Sequence, residues 1–229
     1  MNTVVIIPAY NEEESIGKVI GDIPKDLVSE IVVVNNNSTD DTENTALNSG
    51  ATVLFEKFKG YGAACLKGID YLKDNHPDTV VFLDGDYSDH PEELRDLIRL
   101  IDKENYDFVL GSRVLGESEK GALPLQSRFG SLIAGTLINL FWKFKYTDLG
   151  PFRAIKYNKL IQLDMKDKWF GWTVEMQIKA VKKKFSIIEI PVRYRKRIGK
   201  SKITGTIKGT LMASIIIMKT ILTQVFNNK

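Results

Sequence analysis

Short runs of consecutive apolar residues alternate with amphipathic stretches along the first 110 residues. The run 3–7 is rich in Val and Ile, which is typical of a strand that is buried on both faces of a sheet. Similar runs predict four more strands, at 30–34, 51–55, 78–83 and 107–110. The intervening segments predict helices at 12–21, 60–73 and 91–102, and a further helix that follows the capping residues 38–41 and ends near Gly50. This order predicts an α/β fold with a mostly parallel central sheet and helices on both faces.

The alternation becomes less regular after residue 110. Residues 111–130 contain four glycines and one proline, which predicts a loop. A helix is predicted at 131–145, and strands are predicted at 149–154 and 186–194. Because no fixed-period repeat and no low-complexity linker divides the chain, we expect a single domain over 1–202. A C-terminal amphipathic helix is expected over 203–229.

The composition excludes several classes of protein. With 229 residues, of which 43% are hydrophobic and 27% charged, the chain can bury a sizeable core and is neither a disordered tail nor a coiled coil. Its one cysteine, Cys65, excludes a disulfide framework and fits a reducing compartment. The start of the chain lacks a charged leader, and the apolar run 211–218 is far shorter than the roughly 20 residues of a spanning helix. We therefore expect a cytoplasmic protein, with any membrane contact being peripheral and on the cytoplasmic face.

Charge is distributed unevenly along the chain. Residues 182–229 contain twelve basic residues and one acidic residue, whereas the preceding 181 residues contain twenty basic and twenty-eight acidic ones. A basic tail on an acidic body is typical of proteins with a polyanionic partner, namely nucleic acid, an anionic membrane surface or a phosphorylated substrate. A solvated basic surface without a partner explains the same pattern. No nucleic-acid-binding motif accompanies the basic residues, so we do not expect nucleic acid as the partner.

Polar clusters follow three of the predicted strands and open one of the predicted helices. They lie at residues 8–12 (PAYNE), 35–40 (NNNSTD), 60–62 (GYG) and 84–86 (DGD). In an open parallel sheet, ligands bind just beyond the carboxyl ends of the strands. The glycine patterns of dinucleotide-binding and P-loop proteins do not occur in the sequence, which removes the main support for those two classes.

Asp84 and Asp86 are the most informative pair in these clusters. Two carboxylates that flank one glycine at the end of a strand can converge on one hard divalent cation. Mg²⁺ or Mn²⁺ in such a site keeps open positions for diphosphate oxygens. The alternative is an ordinary Asp-Gly turn, and the tripeptide alone does not distinguish the two.

Seven ordered segments of the chain resemble the family 2 glycosyltransferases. Within that family they are similar to the branch of dolichyl-phosphate mannosyltransferase and related polyprenyl-phosphate hexosyltransferases. The segments are PAYNEEE, VVVNNNSTDDT, FLDGDYSDHPEEL, GSR, TDLGPFRAI, GWTVEMQ and RIGKSK, and they extend from Val4 to about Lys202. The resemblance implies a GT-A fold and metal-dependent transfer of a hexose from a UDP- or GDP-linked donor, with inversion at the anomeric carbon. It makes 1–110 the half that binds the nucleotide sugar and 111–202 the half that binds the acceptor.

The resemblance also assigns nucleotide-sugar binding to individual residues. They are Pro8, Tyr10, Glu12, Asn35, Asn36, Asp84 and Arg113. Asp84 and Asp86 match the metal motif, which implies Mg²⁺ or Mn²⁺ as cofactor. Where relatives usually carry two aspartates and a glycine, this chain has asparagines at 35–37. Because asparagine both donates and accepts hydrogen bonds, base recognition stays feasible but the choice between uracil and guanine is open.

The resemblance assigns catalysis to Asp86, Glu175 and Arg197, and acceptor binding to Arg153, Trp172 and Lys202. In relatives that act on hydroxyl groups, an acid near Glu175 is the general base, a role worth ~10²–10⁴ in rate. A lipid monophosphate needs no base because it is largely ionised at neutral pH. Glu175 is therefore open as a base, a sugar ligand or a structural cap. The basic loop that contains Arg197 and Lys202 is expected to bind the donor diphosphate, the acceptor phosphate or both.

The C-terminal segment has one broad apolar face on a helical projection. This face contains Ile217, Met218, Ile221 and Leu222, and Lys219 and Thr220 lie opposite. The pattern fits an interfacial helix on an anionic membrane surface. A helix that packs against the protein's own core or in a dimer interface fits it equally well.

The sequence leaves three functional hypotheses. The first is an inverting hexosyltransferase that acts on a polyprenyl or dolichyl phosphate at a membrane surface. The second keeps the enzyme class but uses a saccharide, lipid or protein hydroxyl as acceptor, with Glu175 as the base. The third is a non-catalytic module that binds an anionic surface through the basic tail.

Overall fold

The computed structural model describes residues 1–199 and 207–226. Its strands are β1 (Thr3–Ala9), β2 (Glu30–Asn35), β3 (Thr52–Phe55), β4 (Thr79–Phe82), β5 (Phe108–Ser112), β6 (Arg153–Lys156) and β7 (Ile187–Pro191). Its helices are α1 (Ile16–Asp22), α2 (Thr42–Asn48), α3 (Tyr61–Tyr71), α4 (Leu94–Asp102), α5 (Leu125–Trp142), α6 (Tyr157–Leu163), α7 (Trp172–Lys182) and α8 (Ile207–Phe226). A 3-10 turn, Pro91–Glu93, precedes α4.

The strands form one sheet in the order β3-β2-β1-β4-β6-β5-β7. β1 lies between β2 and β4 and is parallel to both, whereas β6 is antiparallel to β4 and β5. Because β1, β2 and β4 run in the same direction, their last residues Ala9, Asn35 and Phe82 lie at one edge of the sheet. The prediction of a mostly parallel sheet is confirmed, and this edge is where the polar clusters meet.

Both faces of the sheet are covered by helices, as predicted. All seven residues of β1 are buried, and their side chains alternate between the two faces. Val4 and Ile6 belong to a core that includes residues of α3, α5, α6, α7 and α8. Val5 and Ile7 belong to a second core that includes residues of α1, α2 and α4. This burial on both sides explains why β1 reads as a continuous apolar run.

The irregular half differs from the sequence prediction in four elements, one of which is α7, which was not predicted. Helix α5 begins at Leu125, inside the segment predicted as a loop, and it includes Gly130, one of the glycines on which the loop prediction rested. Gly135 is needed there, since a Cβ would lie 2.5 Å from the carbonyl oxygen of Tyr146. The strand predicted at 149–154 is shifted to Arg153–Lys156, and α6 follows it directly without having been predicted.

Helix α8 packs against α5 and α7 on the body of the protein. Ile221 is fully buried, and the Thr220 hydroxyl donates a hydrogen bond to the Asp167 carboxylate at 3.3 Å. The predicted helical face is therefore rotated, because Thr220 contacts the protein while Met218 and Leu222 are exposed. Among the described residues, no helix is both long enough and apolar enough to cross a bilayer. The predicted acceptor ligand Lys202 lies outside the described residues.

Gly68 allows α3 to approach the centre of the sheet. A Cβ at this position would lie 2.7 Å from Cγ2 of Ile6, which is fully buried in β1. We expect Gly68→Ala to lower the free energy of unfolding by about 1–3 kcal/mol, because the core must shift to relieve the overlap. Gly21→Ala in α1 is the matched control, since its Cβ meets no atom within 4 Å. The control should gain up to ~1 kcal/mol from helix propensity. Urea unfolding measures both, and equal stabilities would contradict the packing described for α3.

Candidate active site

Two cavities meet at the carboxyl edge of the sheet. The strand-end cavity lies beyond β1 and β4. Its wall contains seven residues that were predicted to bind or act on a nucleotide sugar: Pro8, Tyr10, Glu12, Asn36, Asp84, Asp86 and Arg197. The helix cavity begins at Asp84 and Arg113 and extends outward between α5 and α8. The sequence prediction thus locates the first cavity, but it misses the helical walls of the second.

Asp84 and Asp86 lie in the turn that follows β4. Asp86 is buried, and its Oδ1 accepts hydrogen bonds from the backbone N–H and the hydroxyl of Ser88. Asp84 Oδ1 is also buried and has no hydrogen-bond partner among the described residues. The same is true of both carboxylate oxygens of Asp89. Three acidic side chains therefore lie close together in this turn, with Asp86 and Asp89 buried and Asp84 half-buried at the cavity wall.

Burial and mutual repulsion change the acid–base behaviour of this turn. Burial, and next to it the negative charge of Asp86, raises the pKa of Asp84 from 3.8 to about 7. Burial also raises the pKa of Asp89 well above its ordinary value, with added repulsion from Asp84 and Asp86. The ionised form of such a carboxyl group is stabilised when a positive charge lies nearby.

The residues present fit the divalent cation that the fold family implies. In residues 1–199 and 207–226, no three acidic, His or Cys side chains are arranged to hold an ion by themselves. Asp84 and Asp86 nevertheless face one cavity, and one Asp84 oxygen has no partner. This matches Mg²⁺, which is commonly bound through one or two carboxylates and completes its coordination with phosphate oxygens and water.

Arg197 brings a positive charge to the acidic turn. Its Nη1 lies 3.1 Å from Asp86 Oδ2, and its Nη2 lies 3.3 Å from Glu12 Oε1. The backbone holds this segment in place, because the N–H of Ile198 donates to the carbonyl oxygen of Asp86 at 2.9 Å. Residues from opposite ends of the chain are thereby joined across the strand-end cavity.

The two asparagines after β2 are engaged in building the site. Asn35 donates to Glu43 at 2.7 Å and accepts from the backbone N–H of Ser38, and it does not line the cavity. The amide group of Asn36 donates to the carbonyl oxygens of Glu56 and Phe58. Its Oδ1 accepts from the backbone N–H of Gly60 at 2.8 Å. Both asparagines therefore hold the surrounding loops in place, and Asn36 also lines the strand-end cavity.

Arg113 lies at the inner end of the helix cavity and not in the strand-end cavity. Its guanidinium group makes a two-pronged ion pair with Asp148, at 2.7 and 2.9 Å. Ser131 of α5 donates to the same carboxylate at 3.0 Å. The Arg113 charge lowers the pKa of Asp148 against the opposing effect of burial. This network holds the Arg113 guanidinium group near the place where the two cavities approach each other.

Arg153 and Trp172 are completely buried beneath the cavities. The Arg153 guanidinium group donates to the backbone carbonyls of Thr173 and Gly150. The Trp172 ring packs edge-on against Phe82 with centroids 4.8 Å apart. Neither side chain lines either of the two cavities, so the prediction that they bind the acceptor gains no support from their position.

Glu175 lies at the start of α7 and organises the loop that precedes it. Its carboxylate accepts from the backbone N–H groups of Lys166 and Asp167, at 3.1 and 2.8 Å, and pairs with Lys179 at 2.7 Å. With these partners the buried carboxylate faces neither cavity. Of the three roles left open by the sequence, this geometry supports the structural one.

Several residues of the cavity walls were not predicted. Phe170 and Trp169 come from the loop that Glu175 organises, and Tyr61 opens α3. The cluster GYG at 60–62 was a visible signal for Tyr61, but nothing in it indicated a role. The loop aromatics gave no signal, because their placement depends on the packing of the segment 166–171 against α3.

The raised pKa of Asp84 predicts a pH-dependent loss of stability. Because the folded protein holds the proton more tightly (pKa about 7 against 3.8), stability should fall as the pH rises from about 4 to 7. Asp84→Asn removes this effect and should be more stable than the wild type by about 1–4 kcal/mol at pH 8, with a much smaller difference at pH 4. Urea unfolding with EDTA at both pH values tests this. The exposed Asp96→Asn is the control, and a gain at pH 8 no larger than at pH 4 would contradict the burial of Asp84.

Comparison with known proteins shows which family the chain belongs to. Residues 4–163 match the family model described as glycosyl transferase family 2. The chain is 32% identical to an uncharacterised glycosyltransferase of Mycobacterium tuberculosis over 220 residues, which cover 95% of this chain and 96% of that protein. It is 28% identical to an undecaprenyl-phosphate mannosyltransferase of Micrococcus luteus over 228 residues, which cover 94% and 93% of the two chains. It is also 29% identical to a dolichyl-phosphate hexose transferase of Haloferax volcanii over 216 residues, with coverage of 93% and 91%.

Among solved structures, the fold is similar to glucosyl-3-phosphoglycerate synthase from Mycobacterium tuberculosis in complex with Mn²⁺, UDP and glucosyl-3-phosphoglycerate. The TM-score is 0.76 at 21% sequence identity, and the match covers 100% of this chain and 81% of the synthase. The predicted GT-A fold is therefore confirmed. On the matched segments and the whole-length similarity, the chain belongs to the family 2 glycosyltransferases.

Proposed function

We propose that this glycosyltransferase moves a hexose from a nucleotide-diphosphate sugar to a polyprenyl phosphate, with inversion at the anomeric carbon. The observation that carries the proposal is the convergence of Asp84, Asp86 and Arg197 on one cavity at the carboxyl ends of β1 and β4. This is the position at which α/β sheets bind nucleotide ligands.

The donor half of the proposal rests on charge. Asp84 and Asp86 would hold Mg²⁺ or Mn²⁺, and such an ion would supply positive charge to offset the charge on the diphosphate. The Arg197 side chain is 29% exposed, is paired with Asp86 and lines the same cavity, so its guanidinium group is within reach of diphosphate oxygens. The complex of the structurally similar synthase with Mn²⁺ and UDP supports this reading.

Among the described residues, the acidic side chains near the helix cavity favour a phosphate acceptor over a hydroxyl acceptor. Asp84 is the one acidic residue among the described residues that line the helix cavity, and it is already assigned to the cation. Glu175 is held by backbone N–H groups outside the cavity. An ionised phosphate attacks without a base, whereas a hydroxyl needs one. Arg113, which is ion-paired with Asp148, is the basic side chain at the inner end of this cavity, and its guanidinium N–H groups suit phosphate oxygens.

The two helices beside this cavity favour a lipid acceptor. Eleven of the nineteen large hydrophobic side chains that are exposed in the described residues lie on α5 and α8, including Phe129, Leu132, Ile215 and Leu222. Neither helix contains an acidic residue, whereas Arg128 and Lys219 are basic. Apolar residues bordered by basic ones are typical of helices that lie on an anionic bilayer. A prenyl chain could pass from such a bilayer into the cavity between the helices. The names of the relatives that use undecaprenyl and dolichyl phosphate support the same acceptor class.

Asp86→Ala should abolish metal-dependent transfer while the fold is retained. We expect a loss of roughly 10²–10³ in kcat, because a charge that stabilises the leaving diphosphate is removed. The measurement is transfer of labelled hexose from UDP-glucose or GDP-mannose to undecaprenyl phosphate in detergent, with thermal melting as the check on folding. Asp96→Ala in α4 is the matched control. Full activity of Asp86→Ala would contradict the proposal.

Charged substitutions on the exposed helices should weaken membrane binding. The double variant Phe129→Asp, Ile215→Asp should bind vesicles that contain phosphatidylglycerol more weakly by roughly tenfold or more, because it places acids on the face proposed to contact anionic lipid. Vesicle flotation measures this. Leu47→Asp, at an exposed apolar position of α2, is the control and should bind like the wild type. Unchanged flotation of the double variant would exclude α5 and α8 as the membrane contact.

A further inference from the structure

The turn that carries the acidic pair contains a residue with an uncommon backbone conformation. Tyr87, which lies between Asp86 and Ser88, has a φ of +63°. This left-handed region is unfavourable for residues other than glycine, and a bulky side chain rarely occupies it. Such a conformation persists when the surrounding structure holds it in place. The turn therefore depends on contacts from other parts of the chain.

Three consecutive carbonyl groups of this turn accept hydrogen bonds from one residue, Arg195. Its Nε donates to the carbonyl oxygen of Tyr87 at 2.7 Å, and its Nη2 donates to that of Asp89 at 3.1 Å. Its backbone N–H donates to the carbonyl oxygen of Ser88 at 2.9 Å. Arg195 thus fixes the backbone of residues 87–89, although it follows Tyr87 by 108 residues in the chain.

The Arg195 guanidinium group is itself held on two sides. It stacks on the Tyr87 ring, with Cζ 3.4 Å from the ring centroid. Asp22, at the end of α1, lies 3.6 Å from Arg195 Nη2 and accepts a hydrogen bond from the Tyr87 hydroxyl at 2.7 Å. Arg195 lines neither the strand-end cavity nor the helix cavity. In contrast to Arg197, it therefore contacts the turn from outside the site.

The backbone of the turn sets the direction of the Asp86 carboxylate. Ser88 donates to Asp86 Oδ1 from both its backbone N–H and its hydroxyl group. Because Arg195 binds the carbonyl of Ser88 and the carbonyls on either side of it, Arg195 determines where these two donors lie. The other oxygen, Asp86 Oδ2, lies 3.1 Å from Arg197 at the wall of the strand-end cavity. Groups that orient a metal-binding carboxylate in this way affect cation affinity without touching the ion.

We propose that Arg195 is a positioning residue for the divalent cation, because it holds the turn in the conformation in which Asp86 can bind the ion. This inference rests on the proposed function, which assigns Mg²⁺ or Mn²⁺ to Asp84 and Asp86. A turn that is already in place binds a cation more tightly than one that must first reorganise. Arg195 acts through the turn and contacts neither the cation nor the nucleotide.

The test compares Mn²⁺ binding by Arg195→Lys and by the wild type. The variant keeps the positive charge, but an ammonium group does not reproduce the planar fork that reaches two carbonyl groups. Free Mn²⁺ is measured by electron paramagnetic resonance in the presence of UDP or GDP, at a temperature where melting curves show both proteins to be folded. We expect Arg195→Lys to bind Mn²⁺ roughly 10–100-fold more weakly, as is common when a group that orients a metal ligand is lost.

Arg193→Lys is the matched control. Arg193 lies two residues earlier in the same segment, and its guanidinium group pairs with Glu92 and Glu93 rather than with the turn at 84–89. The control exchanges the same two side chains as the test variant, so it should bind Mn²⁺ like the wild type.

Tyr87→Leu is the second variant, and it decides the question if Arg195→Lys does not fold. It removes the ring on which the Arg195 guanidinium group stacks, and it changes no charge. Mn²⁺ binding should weaken by roughly 2–5-fold, which corresponds to the loss of one cation–π contact.

Two results would overturn the inference alone. Wild-type affinity for Mn²⁺ in the folded variants would mean that Arg195 supports the fold and not the cation site. Equal weakening in Arg193→Lys would mean that the effect does not depend on the contacts with the turn. If the wild-type protein binds no Mn²⁺ with either nucleotide, the proposed function fails together with this inference.

Discussion

The repulsion between buried carboxylates at the end of β4 is the interaction on which the site depends. Asp86 and Asp89 are buried and Asp84 is half-buried beside them, and burial together with the charge of Asp86 raises the pKa of Asp84 to about 7. Like charges in a region of low dielectric constant destabilise the fold unless positive charge is supplied. Arg197 supplies part of it through Asp86. A divalent cation at these carboxylates would offset the remaining negative charge.

The sheet makes this arrangement possible because it brings distant segments to one edge. The turn after β4 is contacted by residues 195–198, and the start of α3 is contacted by the loop 166–171. Glu175 fixes that loop through two backbone N–H groups, so Phe170 reaches both cavities from a position more than 100 residues after Tyr61. The site is therefore made of loops whose own hydrogen bonds, and not the sheet alone, set its shape.

The sequence indicates a side chain's position best where that position follows from its local surroundings. Asp84 and Asp86 stand at the end of a strand with a glycine between them, and both line the strand-end cavity. The sequence indicates less where a side chain's contacts depend on residues far away in the chain. Arg153 has the charge expected of a phosphate ligand, yet it is buried against backbone carbonyls. The asparagines after β2 match a base-binding motif, yet their amides hold the neighbouring loops.

The amino-acid sequence by itself determined the α/β class, the parallel core strands, the family and the acidic pair, because these follow from local periodicity and from ordered motifs. Only the tertiary structure decided that β6 is antiparallel to its neighbours, which side of α8 packs against the protein, and that a cavity lies between α5 and α8. It also decided that the Glu175 carboxylate binds backbone N–H groups of the loop 166–171 and that Tyr61 lines both cavities. Those features depend on long-range packing, in which a side chain's partners come from segments far away in the chain, and no local pattern records such partners.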